Sequence, residues 1–433
     1  MKQVIYKTIK ELVNNQDIQI IDGDRGKNYP KKEEFKSIGF CVFLNASNIK
    51  DDTFVFENID FISEEKDNLL RKGKLSRNDI VITTRGTVGL VAYYGDNIPY
   101  DNMRINSGMI IIRVNSNVIN PNYFYQLLKS ISLKKQYQLF ASGCAQPQLP
   151  IQDFRLISIP VFTKTHQDKI ANILLNYDKL IENNNKRIKI LEEMAQKIYK
   201  EWFVDFKFPG HENATFKDSE LGKIPSDWEI KKVCEISTLS KGKSYKSSEL
   251  VKENEGFPFL NLKCVERDGG FRRDGLKWFD GKYNDTHVVM PEDIIMAVTD
   301  MTQERRLVAR PARIPHNWYK KYVMSMDLVK LIANNNIDKS YLYSLLKYSK
   351  FSDEVKNHAN GANVLHLNPK NIEQFELVVA DKTTRDSFGN IAEQIYDEID
   401  ILYKKNETLK KTRDLLLPRL ISGEIDVENL EIK

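Results

Sequence analysis

The 433-residue chain is poor in the residues and motifs that carry most enzyme chemistry. Its four cysteines, Cys41, Cys144, Cys234 and Cys264, are scattered, with no Cys-x-x-Cys pair. That spacing argues against a zinc site or a disulfide framework and suits a reducing cytoplasm, the expected location. Six histidines form no His-x-x-x-His pair, so no metal site is expected. No apolar run approaches the ~18 residues of a membrane-spanning helix. The opening MKQVIYKTIKELVNN lacks the apolar core of a signal peptide. The phosphate cradle Gly-x-x-x-x-Gly-Lys-Ser/Thr is missing, and no Phe-x-Gly-x-Gly loop follows a strand. Asn120-Pro-Asn-Tyr123 falls one proline short of an adenine-methylating motif and reads as a helix start, with Asn120 as cap and Pro121 at the first position. Asp227 with Glu229 and Lys231 has the letters of a metal-dependent nuclease, but the acids stand too close together. No catalytic residue is expected, and binding is favoured over catalysis.

What the chain has is a soluble composition: 41% hydrophobic and 29% charged residues, with a net charge of +5. A weakly basic total permits nucleic-acid binding without requiring it.

It also has two long heptad-patterned segments. In residues 163–206, Ile170, Tyr177, Asn184, Leu191 and Ile198 form one series. Leu174, Ile181, Ile188, Ala195 and Trp202 form another, on the same helical face. About 36 helical residues at ~1.5 Å each make a rod of roughly 54 Å, which seeks a partner helix. The partner is in residues 381–420: Phe388, Ile395, Leu402, Leu409 and Leu416, with Ala392, Ile399, Asn406, Arg413 and Leu420. Phe388 stands 218 residues after Ile170, and every seam position follows at that offset. Thr165-x-x-Asp168 and Thr383-x-x-Asp386 read as matching capping boxes. Asn184, Asn406 and Arg413 interrupt the seam; they either set the register of the pair or face a partner.

The offset extends upstream. Tyr123-Phe-Tyr-Gln-Leu-Leu128 answers to Tyr341-Leu-Tyr-Ser-Leu-Leu346, and Gly143 to Gly361. The chain is therefore read as an internal duplication of α+β class, in which two α/β domains alternate with two long helices that pair as an antiparallel coiled coil. The expected divisions are a first domain at 1–162, a central helix at 163–206, a linker at 207–227, a second domain at 228–380, a distal helix at 381–420 and a tail at 421–433. Strands are expected at Cys41–Leu44, Thr53–Phe56, Asp79–Thr83, Gly108–Val114 and Phe154–Val161.

Between them lie basic, glycine-punctuated loops suited to phosphate or base-edge contact. The first domain offers Arg25 and Lys27 in Ile20–Pro30 and Arg85 in Thr84–Gly89, with a further polar loop at Ser142–Gln148. The second offers Lys241 and Lys243, then Arg272 and Arg273 beside Phe271, then Arg305 and Arg306. The loops of the two halves differ more than the helix seams do, as expected if each half reads something different.

These residues carry a family resemblance. Ile170-Ala-x-Ile-Leu174, Leu180-Ile-Glu-Asn-Asn-Asn185 and Trp202-Phe-Val-Asp-Phe206 resemble the central helix of type I restriction-modification specificity subunits. Gly222-Lys-Ile-Pro-Ser-Asp-Trp228 and Leu417-Pro-Arg-Leu-Ile-Ser-Gly-Glu424 are similar to that family's second-half start and its close. Tyr6 stands where the first half would carry its own Trp. The resemblance implies that each α/β domain is a target recognition domain reading half of a bipartite, asymmetric double-stranded DNA site. It implies that the helices set the spacer and dock two methyltransferase subunits. Restriction subunits would complete the complex, with S-adenosylmethionine, ATP and magnesium bound by the partners and none by this chain. A stand-alone duplicated DNA-binding regulator and a coiled-coil scaffold are the alternatives.

Overall fold

The computed structural model describes residues 5–143 and 147–427. Cys144 and the middle of the loop expected over Ser142–Gln148 lie outside the described residues, as do the first four residues and 428–433 of the tail. The chain divides into two compact units. One comprises the described residues up to Ile181 and those from Thr408 onward; the other is Glu182–Glu407. Among the described residues no helix is long and apolar enough to cross a membrane.

In the first unit a four-stranded antiparallel sheet has the order Ile18–Asp22, Met109–Val114, Ile80–Thr83, Val91–Tyr93. Its central strands read MIIIRV and IVIT, mostly branched residues that pack well on a pleated surface. Side chains alternate across such a sheet. Ile80, Ile82, Ile110 and Ile112 therefore pack with the helix Pro121–Leu128, while Val81 and Ile111 pack with a smaller sheet. That sheet joins Asp60–Ile62, Cys41–Leu44 and Met103–Ile105, the last pair parallel.

The second unit repeats this plan. Its main sheet runs Ser237–Lys241, Leu328–Ala333, Ile294–Ala297, Pro311–Arg313. Ile294, Met296, Val329 and Leu331 face the helices, and Ile295, Ala297, Leu328 and Ala312 face the other way. Its second sheet, here five-stranded, again contains a parallel pair, Phe257–Leu260 with Tyr322–Met324.

The two long helices are Lys164–Phe203 and Lys382–Ile421, 40 residues each. In the first unit Ile170, Ala171 and Leu174 close the domain core together with Leu417, Leu420 and Ile421. In the second, Ile188, Ala195, Tyr199 and Phe203 share a core with Phe388, Ala392, Ile395, Ile399 and Leu402. The helices run antiparallel. The Phe203 and Phe388 rings are 5.0 Å apart, and Asn184 donates to Asn406 at 2.9 Å.

Four local readings are corrected. Neither Thr165 nor Thr383 caps its helix. Asp381 does so for the second, accepting from the Thr384 amide at 3.0 Å, and the Gln167 amide bonds the Thr163 carbonyl at 3.0 Å. Asp168 and Asp386 instead pair with Lys164 and Lys382 one turn away. The strand expected at Phe154–Val161 is a helical turn, Ile151–Phe154, followed by a shorter strand, Ser158–Val161. Segment 207–227 is ordered rather than a plain linker. It forms the hairpin Phe216–Ser219 with Gly222–Pro225, and Phe208 is buried 5.2 Å from the Trp228 ring. Tyr6 is not the counterpart of Trp228. It lies 61% exposed on the strand Ile5–Thr8, whereas Trp228 is 1% exposed in the turn before Glu229–Lys232, the matching strand.

Candidate nucleic-acid interface

One glycine in each copy presses a basic loop against the main sheet. A Cβ on Gly23 would meet the Asn106 carbonyl oxygen at 2.2 Å; on Gly242 it would meet that of Ser325 at 2.0 Å. Only glycine allows backbones to approach that closely. Both glycines follow the edge strand of the main sheet, and both approached residues precede its central strand. The loops bearing Arg25 and Lys27, and Lys241 and Lys243, therefore occupy equivalent places. Sequence spacing did not reveal this equivalence, because the two loops share little but the glycine.

In the first unit the expected cations converge on the turn 106–108. The Arg25 guanidinium donates to the Ser107 carbonyl at 3.2 Å and remains 51% exposed, with Asp22 beside it. Lys27 is exposed on the same loop. The Arg85 amide bonds the Gly108 carbonyl at 3.2 Å, which leaves the Arg85 side chain exposed. Sequence reasoning missed a neighbour. Buried Asp24 accepts from the amides of Gly26 and Arg71 at 2.7 Å each, bringing exposed Arg71 and Lys72 alongside. Burial pushes the Asp24 carboxyl up, but the amides of Gly26, Arg71 and Lys72 outweigh it and hold the group below the usual carboxylate range. The result is a short cationic rim carrying Arg25, Lys27, Arg71, Lys72 and Arg85.

In the second unit Lys241 is exposed. Lys243 is half-buried near Glu249 and the face of Phe279. Fully buried Asp300 accepts from the Thr302 amide and hydroxyl and from the Leu307 amide, folding the loop that carries Arg305 and Arg306. Gln303 and Arg305 reach carbonyls of 359–362, and Arg306 pairs with Asp268 at 2.5 Å. Arg272 is exposed and pairs with Asp274. Arg273 departs from expectation. Its guanidinium lies 3.9 Å over the Tyr403 ring and 2.8 Å from Asp400, both on the second long helix. At 16% exposure it braces the domain rather than offering a surface cation.

Burial pushes the thiols of Cys41 and Cys264 up to about 12. Among the described residues, one group has metal-ligand chemistry: His316, Asp397 and Asp400. Arg313 bonds both carboxylates, at 3.0 and 2.8 Å, and Arg273 bonds Asp400, so a cation would meet two guanidinium groups. The cluster is an ion-pair brace.

The family model for the type I restriction modification DNA specificity domain matches residues 7–193 and again 225–416. The chain belongs to this family. It is a specificity subunit with two specificity domains, and the regulator and scaffold alternatives are not favoured. It is 26% identical over 362 residues to the type I restriction enzyme MjaIX specificity subunit of Methanocaldococcus jannaschii, covering 82% of this chain and 79% of that one. It is 20% identical over 466 residues to the HindI specificity subunit of Haemophilus influenzae, covering 93% and 98%. The fold is similar to the crystal structure of a type I restriction-modification S subunit from M. genitalium, at a TM-score of 0.57 and 17% identity, with 97% of each chain covered.

In this specificity subunit the helix residues singled out from sequence line the inner seam. Ile170, Leu174, Ile181, Ile188, Phe388, Ile395, Ile399 and Leu402 are buried; Leu191, Ile198, Trp202, Leu409 and Leu416 are half-buried. The polar interruptions lie in it too. Asn406 donates to Asn185 at 2.8 Å besides accepting from Asn184, and Arg413 pairs with Asp178 at 2.6 Å. A different set looks outward: Leu180, Ile190 and Met194 on the first helix, with Val204 just past its end, and Ile391, Ile401 and Leu415 on the second.

Proposed function

We propose that each domain of this specificity subunit reads one half of a bipartite, asymmetric DNA site. The glycine-anchored rims supply phosphate and base-edge contacts. The long helices set the unread spacer and dock two methyltransferase subunits, with restriction subunits completing the complex. S-adenosylmethionine, ATP and magnesium belong to those partners; this chain performs no chemistry and works in the cytoplasm beside the DNA. The observation that carries this reading is the pair of equivalent loops at Gly23 and Gly242, built on one backbone plan with different side chains. Equivalent placement suits a common way of approaching a duplex, and different side chains suit different half-sites. The outward apolar residues favour an outer docking face, since the inner seam is already occupied.

The test is site-specific methylation by the cognate methyltransferase with and without this chain, read by methylome sequencing. A bipartite motif that appears only with the chain is expected. Replacing the Gly23–Lys27 and Thr84–Gly89 loops should alter one half of the motif and leave the other. Methylation independent of this chain, or change in both halves, overturns the reading.

A further inference from the structure

At the repeat offset of 218 residues, Asn184 corresponds to Leu402 and Asn406 to Ile188. Asn184 and Asn406 face each other across the antiparallel helices. Four residues further along the first helix and four back along the second, the same register sets Ile188 against Leu402, both buried in one core. One layer of the pair is therefore polar, and the layer related to it by the duplication is apolar. The same holds for the ion pair in the first unit. Asp178 meets Arg413, whereas their repeat counterparts are Tyr396 and Ala195, which are buried in the core of the second unit.

We propose that these two polar pairs make the helix pair heterotypic, so that each long helix accepts the other and rejects a second copy of itself. A duplicated helix inherits self-complementarity. Apart from the polar positions, the two seams are apolar at matching places, such as Ile181 and Ile399 or Leu191 and Leu409. Shape and hydrophobicity alone would let like pair with like. Two copies of the first helix in this register would set Asn184 against Ile188 twice and Asp178 against Ala195 twice. Two copies of the second would set Asn406 against Leu402 and Arg413 against Tyr396 twice. Each asparagine mismatch buries an amide without its partner, and each mismatch at Asp178 or Arg413 loses the ion pair between them, leaving Asp178 to Gln126 and Lys129 and Arg413 to exposed Asp414, whereas the heterotypic pair satisfies all four. Asn184 and Asn406 are 7% and 4% exposed, so water cannot relieve the loss. Specificity of this kind is a difference between pairings, and it comes from penalising the wrong one. Its consequence is that separate chains do not exchange long helices, whatever their domains read.

The experiment moves the polarity onto one helix of the full-length chain. With Ile188→Asn and Asn406→Leu, positions 184 and 188 are both polar, and positions 402 and 406 are both apolar. Like-with-like pairing then becomes the matched arrangement in the buried asparagine layer, which carries the larger penalty because Asp178 and Arg413 keep other partners in either pairing. The wild-type chain is expected at one-chain mass by light scattering, and the double variant at twice that mass. Two differently tagged copies of the variant should co-purify after co-expression, and two of the wild type should not. A variant at one-chain mass, or a wild-type chain already at two-chain mass, overturns the proposal. If that variant does not accumulate, Asn184→Leu and Asn406→Leu decide. Each alone is expected to lower Tm by several degrees, and the two together to recover most of it at one-chain mass. Losses that simply add overturn the proposal.

Discussion

The Ser344 hydroxyl meets the Tyr396 hydroxyl at 2.7 Å where the domain helix Lys339–Tyr348 lies on the second long helix. The repeat places Gln126 and Asp178 at the same two positions of the first copy, and they too are bonded, at 2.5 Å. The contact has been kept while its chemistry changed. The consequences of breaking it should differ accordingly. Asp178 also serves Arg413 and half-serves Lys129, whose amine is pulled down by burial and held up by Asp178. Asp178→Ala should therefore destabilise the first unit by about 2–3 kcal/mol, because it takes the acceptor from Gln126 and Lys129 and leaves Arg413 only the exposed Asp414. Tyr396→Phe removes one neutral bond and should cost about 1 kcal/mol. Urea unfolding of the full chain, with amide exchange to locate the loss, distinguishes the two.

Asp400 is the centre of the brace on the second long helix. It accepts from Arg273 and Arg313 at 2.8 Å each and from the His316 amide at 3.2 Å, and its side chain is 7% exposed. Asp400→Ala strands the Arg273 guanidinium and leaves Arg313 with Asp397 alone in a nearly dry site. The expected loss is about 3–5 kcal/mol, seen as a lower urea midpoint for the second unit. Arg272→Ala, on an exposed pair next door, should change stability by less than about 0.5 kcal/mol.

That contrast marks how far the sequence could be read. The helix pair was legible because a heptad seam and a 218-residue offset are both written along the chain. Periodicity also gave the strands Cys41–Leu44 and Met109–Val114 to within a residue. The caps were misjudged because Thr-x-x-Asp looks alike whether it precedes a helix or sits in its first turn. Arg273 was misjudged because its partner is 127 residues away, and local charge says nothing of distant acids. Arg71 and Lys72 were missed for the same reason, since Asp24 recruits them across 47 residues.

The rim of the first unit predicts a graded response to substitution. Arg85 is exposed, and only its backbone is used by the fold. Arg85→Ala and Lys27→Ala should therefore leave Tm within a degree or two. They should weaken DNA binding by the assembled methyltransferase complex, and each lost phosphate contact should flatten the slope of log K against log salt by ~0.9. Gly23→Ala is the structural control. It forces a Cβ against the Asn106 carbonyl, so folding and binding should fall together. Fluorescence anisotropy across a salt series, paired with thermal melts, reads both quantities.

Asp67 gives the rim an acid limit. Its carboxylate is fully buried and accepts from Arg104 and Lys74 at 2.5 Å each, while Arg104 also bonds the carbonyls of Asp67, Leu70 and Lys72. The network thus holds the turn that presents Arg71 and Lys72. Burial pushes the Asp67 carboxyl up, but hydrogen bonds and charge from Lys74 and Arg104 more than offset it, so the folded value lies below the ordinary one. A carboxylate depressed on folding stabilises the protein above its unfolded value of ~3.9, and that stabilisation is lost as pH falls through the lower folded value. The first unit should therefore hold its urea midpoint from neutral pH down to about 4 with respect to this group, then lose it progressively below. Asp67→Asn removes the charge that Arg104 needs, so it should lower stability by about 3–5 kcal/mol at pH 7. The variant should also show a shallower acid loss than the wild-type chain, because the titrating group is gone. Parallel urea titrations at pH 7 and pH 3 measure both effects. Equal losses in the two proteins would place the acid sensitivity at other carboxylates.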